Sequence, residues 1–173
     1  METRELEANL KNLDQKISGI GQRIQNMQNS MRQCAQQAEA LERQAQALMS
    51  MAAGEEDESQ AARMYNQAAS LMSQAGAYKA QANSYLSQIR TLASELRGYR
   101  SEYQKYMTEG QTNISNLRAA AGKLSGVAGN KYGAGKIREA LGAVNQRMTY
   151  NQNLINGCQK RINWIDQICN SCS

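Results

Sequence analysis

The sequence contains no histidine, no proline and no phenylalanine, and only one tryptophan. Each absence excludes something. Without histidine the chain lacks the side chain that most often acts as a general base near neutral pH, and with it the commonest nitrogen ligand for a metal. Without proline no position is barred from a helix interior by a missing N–H. Aromatic residues make up 5% of the chain, too few for the aromatic and β-branched strands of a sandwich or barrel. No apolar run approaches the ~20 residues that a membrane-spanning helix needs. The first ten residues carry Glu2, Arg4, Glu5 and Glu7, not the basic-then-apolar order of a secretory signal. A cytoplasmic protein as synthesised is the expectation, with export without a cleaved signal left open.

What is abundant is Ala, Gln, Leu and Met, the composition of long helices. The 173 residues fit a single domain, 1–173. The net charge of +5 is local. Residues 1–108 hold equal numbers of acidic and basic side chains, and the excess lies in 109–173, on Arg118, Lys123, Lys131, Lys136, Arg138, Arg147, Lys160 and Arg161.

The apolar and small residues fall into three series. Leu6, Leu10, Leu13, Ile17, Ile20, Ile24, Met27, Met31, Cys34, Ala38, Leu41, Ala45 and Leu48 alternate spacings of four and three without a break. That is the seam of a coiled coil and not the broader stripe of a globular helix. Gly54 followed by Glu55, Glu56, Asp57 and Glu58 ends this helix and opens another, since glycine suits a helix C-terminus and acidic groups an N-terminus. The second series runs from Met64 through Leu71, Tyr78, Tyr85, Leu92, Leu96, Tyr99 and Tyr103 to Tyr106. Folding back at the acidic turn pairs Leu41 with Leu71, Ile24 with Ile89 and Leu6 with Tyr106, and opposes Ala38 to Ala75 and Ala45 to Ala68, where the helices can approach closely. The seam slips near Gly110 and resumes at Ile114, which a stutter explains. The breaker Ser125–Gly135 then leads to a third series, from Ile137 to Cys169.

The second fold-back pairs Leu117 with Val144, Tyr106 with Ile155 and Tyr99 with Ile162, so the two hairpins share residues 92–106. The expected fold is therefore all-α: an elongated antiparallel coiled coil of three long helices, at about 4–53, 58–125 and 135–170, with turns near 54–58 and 125–135. Its two hairpins overlap in a short three-helix bundle with a core of Leu10, Leu96, Tyr99, Tyr103, Tyr106, Cys158 and Ile162. The tyrosines fill the wider space among three helices and lead their hydroxyls to water or a polar partner.

Candidate chemistry is sparse. No carboxylate pair is placed by the pattern in a pocket, and no cofactor or metal is implied. Cys34, Cys158 and Cys169 fall on the seams and read as small core hydrophobes, with Cys172 on a frayed end; a disulfide between Cys169 and Cys172, or one joining two molecules through Cys172, is the alternative. The segment ending Gly135-Lys136 fails as a phosphate loop, because Asn130 and Ile137 stand where glycine and Ser or Thr are required and no strand precedes it. With Lys123, Lys131, Tyr132, Lys136 and Arg138 it forms a basic tip suited to an acidic protein surface, anionic lipid or nucleic acid, though the charges are few for nucleic acid. Met27, Met31 and Met64, with other methionines near the acidic turn, offer an adaptable surface for a helical partner. Asn151 interrupts an apolar seam opposite Gly110: either it fixes register from a buried position or it is solvated where only two helices meet.

In size, scarcity of proline, hairpin form and the triplet Leu124-Ser125-Gly126 at the expected second turn, the chain resembles the small helical proteins that accompany type VII secretion, including the WXG100 and LXG-associated groups. Trp164 is followed by Ile165 and Asp166 and so departs from the tryptophan form of those families. The resemblance implies a secreted helical subunit or a targeting partner for a larger protein. The residues themselves imply a non-enzymatic coiled coil that acts by self-association or by binding another helical protein; a membrane-active or phage-type rod is a third class.

Overall fold

The computed structural model describes residues 1–127 and 133–172. Among them all regular structure is helical: α1 spans Thr3–Ala53, α2 Glu58–Val127 and α3 Ala134–Ser171. The chain is all-α, as its four-and-three spacing requires.

The turn between α1 and α2 is built from acceptors. Gly54 N–H donates to the Met51 carbonyl at 3.1 Å and Glu55 N–H to that of Ala52 at 3.3 Å, a three-residue step that tightens the last turn of α1. No described glycine takes a positive φ, so Gly54 ends the helix by this tightening and not by the left-handed cap its identity suggests. The Asp57 carboxylate then accepts the N–H groups of Ser59 at 2.9 Å and Gln60 at 3.3 Å. A charged acceptor at this position satisfies two orphan donors and meets the positive end of the helix dipole.

Helix α2 runs unbroken past Gly110 and through Ser125, Gly126 and Val127, two residues beyond the expected end. Gly135 already lies in the first turn of α3. The break is therefore narrower than the glycine-rich stretch, because glycine weakens a helix by only about 1 kcal/mol each and no proline enforces a stop.

The helices form two compact units, residues 1–20 with 93–173 and residues 21–92. The first is a three-helix bundle. Leu6, Leu10, Leu13, Ile17 and Ile20 from α1, Ala93, Leu96 and Tyr103 from α2, and Ile155, Cys158, Ile162, Ile165 and Cys169 from α3 are all buried. Beyond Asn151, towards the loop, Leu117, Leu124, Ile137, Leu141 and Val144 are only half-buried, as a two-helix seam dictates.

The second unit is a two-helix hairpin whose innermost residues are large at Ile24 and Ile89 and small nearer the acidic turn. Ala38, Ala45, Ala68 and Ala75 are at most 1% exposed, while their seam neighbours Leu41, Leu48, Met64 and Leu71 are half-buried. With the buried alanines as position a of the heptad, the larger residues are position d. Alanine at a lets the backbones approach closely, but each methyl contributes only about 0.8 kcal/mol.

At Gly110, α2 packs tightly against α3. A methyl group there would meet Ile155 Cγ1 at 2.9 Å and Cδ1 at 3.3 Å. Gly110→Ala should lower stability by about 1 kcal/mol, because overpacking of about 1–3 kcal/mol exceeds the gain of about 0.5–1 kcal/mol from helix propensity. Gly98→Ala, in the same helix with open space around it, should gain that propensity instead. Urea unfolding of the pair reads the opposite signs.

Candidate association surface

In the 1–20/93–173 unit, both ion pairs between α3 and the other helices among the described residues fall at one heptad position. Continuing the lettering puts Glu7 and Asp14 of α1, and Ala93 and Arg100 of α2, at position e. Asp14 receives Nε of Arg161 at 3.0 Å and its NH2 group at 3.4 Å. Arg100 donates to Asp166 through Nε at 2.8 Å and a terminal nitrogen at 3.3 Å. Cys169 Sγ reaches the Ala93 carbonyl at 3.5 Å. Here the e flank is where a third helix docks.

This geometry sorts the predicted core tyrosines. Position a lies beside e on the helix surface and position d beside g, so α3 covers Tyr103 at a and leaves Tyr99 and Tyr106 at d half-buried. Only Tyr103, 1% exposed, is a full core residue. Leu10, Tyr103 and Cys158, one from each helix, line a single cleft of about 370 Å³ with Asp14 and Arg161 at its mouth. Tyr103 OH donates to Asp14 Oδ1 at 2.5 Å. Burial, then this hydrogen bond, push the phenol far above its usual range. Burial pushes the Cys158 thiol up to about 11, with the Asp14 charge adding to it. Both groups are therefore protonated at pH 7, and the thiol is a poor nucleophile.

None of the four cysteines forms a disulfide, and all four are buried. Cys172, expected on a frayed end, is 8% exposed, because its N–H bonds the Cys169 carbonyl at 3.3 Å and holds the last turn in place. Native protein at pH 8 should react slowly with iodoacetamide at Cys158, and rapidly once unfolded. Since the folded state holds this thiol protonated above its ordinary value of about 8.5, its stabilising share is complete below about 8.5 and is lost as pH rises through about 11. Melting temperature followed into that range should fall.

Asn151 is wholly buried and fully bonded. Its Nδ2 donates to the Arg147 carbonyl at 2.8 Å and to Thr3 Oγ1 at 3.3 Å, and its Oδ1 accepts from Asn113 Nδ2 at 3.2 Å. The α1 start thus reaches the Gly110 layer, which the sequence pattern assigned to two helices. The Asn113 side chain is engaged in this network.

In the 21–92 unit the two flanks of the hairpin differ. Position g holds Arg23, Ser30, Gln37, Gln44 and Met51 on α1 and Gln60, Gln67, Gln74, Gln81 and Gln88 on α2, all exposed but the half-buried Ser30. Position e holds Gly21, Gln28, Ala35, Glu42 and Met49 on α1 and Glu58, Tyr65, Met72, Lys79 and Leu86 on α2. Met49 is 36%, Met72 42% and Tyr65 47% exposed. A Glu42–Lys79 ion pair ties the two helices together across this flank. Sequence reasoning named Met27, Met31 and Met64 for the surface, but these are half-buried seam residues at d and a. The glutamine at every seventh position from 60 to 88 was the signal that could have located the flank. By marking g as the solvated edge, it leaves e as the apolar one.

In the 1–20/93–173 unit, Lys123, Lys136 and Arg138 are exposed, and Lys131 and Tyr132 lie outside the described residues. Leu124, Ser125 and Gly126 are helical, in the final turn of α2. Among the described residues no three His, Cys, Asp or Glu side chains are grouped to hold a metal, and no helix is long and apolar enough to cross a membrane. No protein-family model, curated protein or solved structure matches the chain.

Proposed function

We propose that this protein acts without catalysis, as a self-associating coiled-coil scaffold. The observation that carries the reading is the e flank of the 21–92 hairpin, where the heptad register places the exposed Met49, Tyr65 and Met72 on one face. Exposed apolar side chains gathered on one face mark an interaction surface, whereas scattered ones do not. The polar chemistry supports the same view. Asp14, Tyr103 and Arg161 satisfy one another, and the Cys158 thiol is held protonated. What remains for the surface to do is bind another helix. Light scattering at rising concentration tests it: a mass that climbs to a multiple of the monomer supports self-association, and a mass fixed at the monomer overturns it.

A further inference from the structure

Resting on that reading, we infer that two copies join through the e flanks of their 21–92 hairpins, so that four helices close into one bundle. The first argument is sidedness. Over residues 35–49 of α1 and 60–88 of α2, one flank carries only exposed, uncharged glutamines and the other is apolar apart from a single ion pair, so over that span burial stabilises only one of them.

The second argument is charge. Around its middle the flank carries one acid, Glu42, and one base, Lys79, at the same level. A twofold-related copy supplies the complement of each, and four charges of two signs meet in one layer, as an isologous contact requires. A foreign helix would have to supply that match independently.

The third argument comes from the chain's own packing rule. In the 1–20/93–173 unit it is position e that receives a helix, through the Asp14–Arg161 and Arg100–Asp166 pairs. In the 21–92 unit the same position holds exposed methionine, tyrosine and one acid–base pair. The size is sufficient: residues 21–53 rise through about 50 Å, and a strip of that length about 16 Å wide covers the roughly 800 Å² per partner of a stable interface.

Three sets of variants test this in the full chain by sedimentation velocity, with circular dichroism to confirm that helicity is retained. Met49→Glu with Met72→Glu should raise the dimer Kd by at least ~100-fold, while Gln44→Glu with Gln67→Glu on the opposite flank should leave it within ~3-fold. Glu42→Lys alone and Lys79→Glu alone should each weaken association, and an equimolar mixture of the two should restore a heterodimer. A wild type that stays monomeric sinks this interface together with the scaffold reading. A dimer that survives the methionine pair, or that dissociates with the glutamine pair, leaves self-association standing and overturns this flank as its site. A mixture no tighter than its components overturns the twofold charge match.

Discussion

Asn151→Asp should cost the protein about 3–4 kcal/mol at pH 7, the largest loss expected from any isosteric change in the bundle. The side chain keeps its shape but loses its donor. The two bonds that Asn151 Nδ2 gives, to the Arg147 carbonyl and Thr3 Oγ1, leave an anionic oxygen beside a carbonyl with no water to share the charge. The Asn113 amide still donates, which offsets only part of that. Burial would raise the carboxyl above its ordinary value of about 3.9, so the penalty is complete above the raised value and fades as pH falls towards 3.9. Thermal melts of variant and wild type should therefore converge between pH 7 and pH 4. A gap that is constant across this range would show that the residue reaches water.

Tyr103→Ala should cost about 3–5 kcal/mol, and Tyr103→Phe about 1–2 kcal/mol. The difference between them separates the ring from the hydroxyl. The ring is 1% exposed at the level where α1, α2 and α3 all contribute a wall of the cleft, Leu10, Tyr103 and Cys158. Its removal empties the centre of the bundle. The hydroxyl contributes less, because Asp14 is 39% exposed and solvent screens the charge it bonds to. A spectroscopic titration of the tyrosines gives an independent check. One of the eight should resist ionisation until the protein unfolds, since burial and Asp14 both oppose the phenolate.

The helices and their pairing were legible because one rule repeats. Apolar residues at four-and-three spacing admit one helical face, and the acidic run after Gly54 has one economical use, capping α2. What the sequence left open was decided by groups far apart in the chain. Asn151 read equally well as a solvated residue or a buried register device. The choice depends on Thr3 and Asn113, each on another helix, and the periodicity of α3 contains neither. Tyr99, Tyr103 and Tyr106 look alike on one seam, and only the side on which α3 docks distinguishes them. The e flank was legible in principle, from glutamines seven apart, but the eye follows hydrophobic spacing first and these residues are its complement. The tip around Lys131 and Tyr132 lies outside the described residues.

The alanine layers of the 21–92 hairpin have one further consequence. Because Ala38, Ala45, Ala68 and Ala75 repeat the same small contact every seven residues, the two arms are interchangeable units of length. Excising 42–48 together with 65–71 would join like to like and preserve every remaining layer, with the Asp57 cap untouched. The arm is thus a ruler graduated in heptads, and its reach can drift over generations by matched deletions without a new core having to be invented.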